Sequence, residues 1–497
     1  MCQKFTRRNV LMGLTATTAL AGLSACARNR ATGRSSFTGL YSLEDDIELG
    51  RKEHPRMVKE FGGEYDDRAL TSYLDRLGQK LASHSEYQEF NYTFTLLNTP
   101  IVNAFALPGG YVYVSRGLMS LASNEAELAG VVAHEIGHVT ARHTAERLSS
   151  ATLAQIGVLA GAIGAAALGL PSQVAEVGQT AAAAAIQSYS RSQELEADTL
   201  GIRYMSEAGY DPSAMVTFLA TLREHSIVEV ESLGGKPGDV DEYNIMATHP
   251  RTIERVKQAE GLAAAQVPAN PRIGRADYLD EIDGMLFGDD PEQGIAEGQR
   301  FVHPGLRFEF MAPEGFRIIN RPEQVLAKSK KGAAMIFDIA KAESSSTMKS
   351  YLVNEWAGDL PLKKAESIEI NGMEAATATA RVRSRSGESI DIRPVAVRRK
   401  GNSVFRLLYI TPIEQTADLS EKLRRSTYSL RQISEDEASQ IKPLRLKIRP
   451  ARSGDTVSGL SKKLPYGTLN DSFFRVLNDL KPGEGLTAGE LIKVVTV

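Results

Sequence analysis

Cysteine is nearly missing from this chain: its 497 residues hold two, Cys2 and Cys26, both within the first 26 positions. Beyond them no disulfide can brace the fold, even in an oxidising compartment. Charge of one sign is also lacking. Lys and Arg number 58 against 61 Asp and Glu, a formal net charge of -3, which leaves no electrostatic footprint for nucleic acid and excludes that class of partner. Long hydrophobic runs are scarce. Val10 to Leu23 is too short and too rich in Ala and Thr to span a bilayer. Ser149 to Gln173 carries no charge, but Leu and Ile are sparse, Gly recurs and Pro171 closes the run. It reads as a close-packed helical hairpin or a mobile flap rather than a span. No internal repeat is visible, the helical tetratricopeptide pattern included. What remains is ordinary globular composition, 42% hydrophobic and 24% charged, at a length that suits two to four domains.

The start of the chain is an export signal. Lys4, Arg7 and Arg8 precede the apolar run, and Leu23-Ser24-Ala25-Cys26 follows it. That tetrapeptide looks like a lipobox, which implies a lipid on Cys26 and cleavage just before it, so residues 1–26 form a lipoprotein signal peptide. Thr6-Arg7-Arg8-Asn9-Val10-Leu11 resembles a twin-arginine signal, with the general secretory route left open. By resemblance to the lipoprotein sorting rule, Ala27 in place of Asp directs the protein to the outer membrane of a bacterial cell envelope, on its periplasmic face. Residues 27–42 read as a polar tether.

The chemistry is carried by Asn124 to Arg147, NEAELAGVVAHEIGHVTARHTAER. Leu128, Val131, Val132, Ile136 and Val139 recur at helical spacing, and Asn124 with Glu127 predicts a capping box. His134 and His138 are about 40° apart around that helix, so both imidazoles leave one face at a separation one zinc ion can bridge. Glu135 is rotated by about 100° and can reach a water at the metal without occupying it, as a general base must. This is the HExxH motif of metalloproteases. A third ligand is available in SYSRSQELEADTLG, residues 188–201: Glu194 and Asp198 share a helix face, and Glu196 is turned about 160° away. Glu194 is the candidate third ligand. Asp198 is placed to accept a ligand histidine's ring N–H, and Glu196 reads as a solvated surface carboxylate.

His134-Glu-Ile-Gly-His138 with Glu194-Leu-Glu-Ala-Asp198 resembles the zinc endopeptidase family of CaaX prenyl protease and HtpX. Asn124 to Gly130 and Pro108-Gly109-Gly110 match the family's context. The resemblance covers roughly residues 45–260 and looks most like periplasmic lipoprotein members and the mitochondrial protease of the Oma type. It implies one zinc ion per chain on His134, His138 and Glu194, with Glu135 as base and proton shuttle. The metzincin alternative fails: it needs Gly at position 141, which is Ala, and a third His six residues after His138, whereas His143 comes five after. His143 is then a supporting or structural residue. By resemblance to relatives, His249 in Thr248-His249-Pro250 is either a latch on the metal or a stabiliser of the oxyanion. Arg191 is a weaker candidate for steering substrate or pairing with a carboxylate. Asn103, Ala104, Phe105 and Ala106 begin a strand just ahead of the metal helix, where an extended peptide substrate could add by β-augmentation.

Farther along, residues 266–300 read as a linker with a short helix, and 301–435 as an α+β domain for substrate or partner binding, with a distant resemblance to Mog/PsbP-like sandwiches. Residues 444–497 look like a βααβ LysM-type module, a class that binds peptidoglycan glycans. The fold class expected is α+β: a mainly helical zincin-like domain (43–265) with a small sheet, then an α/β sandwich-like domain, then the LysM-like one. The function expected is a lipid-anchored zinc endopeptidase acting on misfolded or stalled envelope proteins. The alternative is a lipoprotein chaperone or binding protein with a mostly silent metal site, tethered to peptidoglycan.

Overall fold

The computed structural model describes residues 26–38, 40–150, 189–232, 234–241, 253–343, 346–384 and 387–497. The expected signal peptide before Cys26, most of the uncharged 149–173 run and His249 lie outside the described residues. No described helix is long and apolar enough to cross a membrane.

The chain is a mixed α/β protein. A short hairpin, β1 (Cys26–Arg28) and β2 (Ser35–Phe37), precedes helices α1 (Leu43–Glu60) and α2 (Arg68–Ala82). Both helices start where their caps dictate: Ser42 with Asp45 forms a capping box, and Asp67 accepts from the N–H groups of Ala69 and Leu70. Strands β3 (Thr93–Leu97), β4 (Ala104–Leu107) and β5 (Tyr111–Ser115) make one sheet in the order β3-β5-β4, with β4 at its edge. The β4–β5 turn uses Gly109 and Gly110 at φ 79° and 95°, where a Cβ on Gly109 would strike α1's backbone at Ile47, 2.7 Å away. Helix α3 (Arg116–Leu121) leads directly into the metal-motif helix α4 (Glu125–Thr140). Helices α5 (Arg191–Glu207), α6 (Ser213–Ser232), α7 (Ile253–Ala265) and α8 (Arg275–Glu281) complete this part.

Two segments read as connections are packed. The expected tether holds the β1–β2 hairpin, whose buried Asn29 donates to the Thr140 carbonyl at the end of α4 (2.8 Å). The expected linker contributes Tyr278, Leu279 and Ile282, all 0% exposed, to the core around α4. Its polar composition conceals these apolar anchors, and Met285, Leu286 and Phe287 are buried after them.

After β6 (Leu286–Phe287), β7 (Ile295–Glu297), β8 (Arg300–His303) and β9 (Phe308–Met311) come the seven strands of a second unit. These are β10 (Phe316–Arg321), β11 (Gln324–Ser329), β12 (Ala334–Lys341), β13 (Lys363–Ile370), β14 (Met373–Arg383), β15 (Ser389–Arg398) and β16 (Ser403–Pro412). They form one antiparallel sheet in the order 10-11-12-16-15-14-13. Helix α9 (Thr416–Ser429) follows, and Phe301, Phe308, Phe310, Phe337 and Phe405 fill a core of their own.

The last 54 residues run strand, two helical segments, strand: β17 (Arg431–Gln432) and a short helix lead to β18 (Leu444–Pro450), α10 (Val457–Leu460), α11 (Asn470–Leu477) and β19 (Leu491–Thr496). Strands β18 and β19 pair antiparallel, and β18 also pairs with β6. Phe473, Phe474, Leu477 and Val495 share one continuous core with α2, α4 and α6, so this module is part of the first unit. Lys493, 1% exposed, sends its ammonium into the end of α3 and donates to the carbonyls of Ser120, Leu121 and Ala122 at 2.9, 3.0 and 2.8 Å. Asn478 accepts from the Lys493 N–H and donates to its carbonyl. Replacing Lys493 by Met would strand three buried carbonyls and lower stability by about 3 kcal/mol. Urea unfolding followed by circular dichroism measures this, and a loss below about 0.5 kcal/mol would refute the clamp.

Candidate metal centre

Asn124 caps α4 as expected, accepting from the Glu127 N–H. The reciprocal half of the box is absent, because Glu127 turns to the N–H of Ser123 (2.7 Å) and the Thr217 hydroxyl (3.1 Å). Helix α5 lies close against α4 because both carry glycine at the crossing. A Cβ on Gly137 would sit 2.9 Å from the Ala197 carbonyl, and one on Gly201 3.0 Å from the His134 nitrogen. That approach brings Glu194, 0% exposed, up to the two histidines.

His134 Nε2 and His138 Nε2 are 3.1 Å apart. Glu194 Oε2 is 3.6 Å from the first and Oε1 3.4 Å from the second. Ligand atoms about 2.0–2.1 Å from a tetrahedral zinc lie about 3.4 Å from one another, so this donor set fits zinc in spacing and in type. The electrostatics agree. Burial, the largest influence on His134, opposes its protonation, yet Asp198 and Glu194 carry the imidazole up to about 10, so the site favours positive charge at that point. Glu135, 2% exposed, follows His134 on α4 and lines a small apolar cleft with Ala104, Val131, Met215, Phe218 and Arg255.

Asp198 Oδ1 lies 3.0 Å from His134 Nδ1. Arg255, which sequence reading missed, binds both oxygens of Asp198 at 2.7 and 2.8 Å and reaches Glu194 Oε2 at 2.5 Å. It is 2% exposed. Burial raises the Asp198 carboxyl, but Arg255 and His134 outweigh it and hold the group below the usual carboxylate range. Two carboxylates on one buried helix face signal a missing cation, but the sequence does not say which of many arginines supplies it. Arg191 is exposed in the first turn of α5; the buried partner of Glu194 and Asp198 is Arg255.

His143 comes back onto His138 because Arg142, at φ 57°, reverses the chain after α4. A left-handed arginine costs about 1 kcal/mol, offset by its nearly buried pairing with Asp46 (2.6 Å) and bonds to the carbonyls of Tyr41 and Ser42. The two Nδ1 atoms of His138 and His143 are 2.8 Å apart, and His143 Nε2 lies 3.0 Å from Glu196 Oε2. Glu196 is therefore not the solvated carboxylate its helical angle suggested, since the direction away from Glu194 faces His143. Tyr189 is a second missed residue. Its ring stacks on His138 with centroids 3.7 Å apart, and Arg147 covers it at 3.9 Å. Ala104, Phe105 and Ala106 lie on or at the start of edge strand β4, and no further strand pairs with it among the described residues. Asn103, one residue earlier, is tied to Ser115 on the β5 side.

With this geometry in hand, comparison with known proteins is decisive for one stretch: residues 68–263 match the model of Peptidase family M48. The chain is 29% identical over 317 residues to the beta-barrel assembly-enhancing protease of Escherichia coli (strain K12), covering 60% of this chain and 63% of that protein. It is 31% identical over 216 residues to the mitochondrial metalloendopeptidase OMA1 of Schizosaccharomyces pombe, covering 42% and 60%. The chain thus spans a little under two thirds of either relative. Among solved structures, cyanobacterial PsbP (CyanoP) from Synechocystis sp. PCC 6803 aligns at 15% identity over 28% of this chain and 94% of that one, TM-score 0.22. The Saccharomyces cerevisiae Ran-binding protein Mog1p aligns at 12% over 28% and 96%, TM-score 0.21.

In the matched stretch, Arg255→Met removes the cation shared by two buried carboxylates and should destabilise the metal-free chain by about 3 kcal/mol. Added zinc should recover part of the lost thermal midpoint. A variant midpoint that does not respond to zinc would refute this account of the charges.

Proposed function

We propose that the chain is a zinc-dependent endopeptidase that cleaves misfolded or stalled proteins of the bacterial cell envelope. The observation that carries this reading is the convergence of three buried donor atoms at tetrahedral spacing, beside Glu135, within the stretch that matches the M48 model. His134, His138 and Glu194 hold one zinc ion. Bound there, zinc supplies Lewis acidity, which brings a water's pKa toward 7 and polarises the scissile carbonyl. Glu135 takes the proton of the attacking water and returns it to the leaving amine. Asp198 holds the His134 ring at Nδ1, and Arg255 pairs with both Asp198 and Glu194 and holds Asp198 ionised. The edge of β4, from Ala104 to Ala106, aligns the substrate as an added strand, with Asn103 at its entrance. The apolar cleft walls take a hydrophobic side chain beside the cut.

A lipid on Cys26 holds the enzyme at the periplasmic face of the envelope, at the outer membrane. The Escherichia coli relative is named for β-barrel assembly, and by that likeness the substrates are barrel proteins that fail to assemble. The module at 444–497 adds a contact to peptidoglycan glycan. His249 either latches the metal or stabilises the oxyanion, with Arg191 steering substrate.

Casein cleavage by the full chain, purified in detergent, tests this. Glu135→Gln should lower the rate by about 10²–10⁴-fold, and a chelator should abolish it until zinc is restored. A rise with His249→Ala marks a latch; a fall marks a catalytic histidine. If all forms stay inert with zinc bound, the chain is a binding protein or chaperone instead.

A further inference from the structure

We propose that Arg34, on the hairpin that begins at Cys26, is a positioning residue for the metal centre: through Glu196 and His143 it fixes the tautomer and ring orientation of His138. This rests on the ligand role proposed for His138. Arg34 lies outside the residues that match the M48 model, so the device belongs to the sequence ahead of that stretch.

One pattern of protons satisfies the chain of contacts. His138 Nε2 faces His134 Nε2 and Glu194, and to act as a ligand it must be bare. Its hydrogen is then on Nδ1 and is donated to His143 Nδ1, 2.8 Å away. His143 must carry its own hydrogen on Nε2, which donates to Glu196 Oε2 at 3.0 Å. His143 is 0% exposed, so solvent does not stand ready to replace Glu196. The Glu196 side chain is 18% exposed and has room to turn away. What holds it is Arg34. Nε and one terminal nitrogen of Arg34 bind the two oxygens of Glu196 at 3.2 and 3.0 Å, and the terminal nitrogens bind the two oxygens of Glu146 at 3.1 Å each. A planar guanidinium can grip two carboxylates in this way; an ammonium cannot. The same hairpin is seated independently by Asn29, which donates to the last carbonyl of α4 while its side-chain oxygen accepts from Ala31 and Thr32.

The test is zinc release from the full chain in detergent, read with a chromogenic chelator. Arg34→Met and Glu196→Leu should each speed release about tenfold, and the double variant no further, because both act along one path. Arg34→Lys should fall between parent and Arg34→Met. Arg28→Met, which alters the hairpin without touching Glu196, should release zinc like the parent. In nitrogen-15 spectra of the histidine rings, the parent should show His143 as the Nε2–H tautomer and Arg34→Met a mixture. Release and tautomer unchanged in Arg34→Met would overturn the proposal, as would multiplicative effects in the double variant or an equal effect of Arg28→Met. A parent that binds zinc and shows the relay yet cleaves nothing would sink the protease reading alone; a parent that binds no zinc would sink both.

Discussion

Glu194 and Asp198 stand one turn apart on α5 with no surface exposed to water, and a carboxylate stripped of its hydration persists only where positive charge and hydrogen-bond donors replace it. Much of the first unit follows from that demand. Helix α7 closes over α5 to deliver Arg255. Helix α4 must come close enough to set His134 Nδ1 3.0 Å from Asp198, which Gly137 and Gly201 allow. The donors left facing one another, two ring nitrogens and the Glu194 carboxylate, are then a cation site created by the burial itself.

The metal-motif helix contributes its ligands from the middle, but its ends are set by distant segments. Its C-terminal carbonyl is held by Asn29, and the turn after it by Arg142 on Asp46. At its start, Glu125 receives the hydroxyls of Tyr73 and Tyr210 and the guanidinium of Arg272. Arg275 joins the Ser123 carbonyl to that of Leu491. The β-rich unit from Phe301 to Leu430 has a separate aromatic core and meets this scaffold through polar contacts, Arg317 on Glu229 of α6 (2.8 Å) and Lys59 of α1 on Glu323 (3.0 Å).

The legible part of the site was what helical geometry fixes over four residues: His134 with His138, and Glu194 with Asp198, fell on their faces as their spacing required. The mixed α and β character of residues 301–435 was likewise readable, because each side chain's face follows from its own segment. What failed depended on which segment meets which. Glu196 was misjudged because its angle on α5 says nothing about His143 arriving from α4. Arg255 and Tyr189 lie near the motifs in sequence, but only tertiary packing turns them toward the ligands. The tether and linker looked polar on average, and a few buried side chains, Asn29, Tyr278 and Leu279, decided their fate. Glu127 had two acceptable partners for one carboxylate, and the local rule chose the wrong one.

The Lys493 contact also sets an order of events. Its ammonium reaches the carbonyl of Ser120 across 373 positions, and contacts so far apart carry a large loop-closure cost and form late. The short turn between α3 and α4 looks like the most local element of the first unit, yet its carbonyls stay unanswered until strand β19 has been made and docked. During synthesis the histidine motif exists long before the surroundings that finish it, so a nascent chain carries the letters of a metal site without its completed frame.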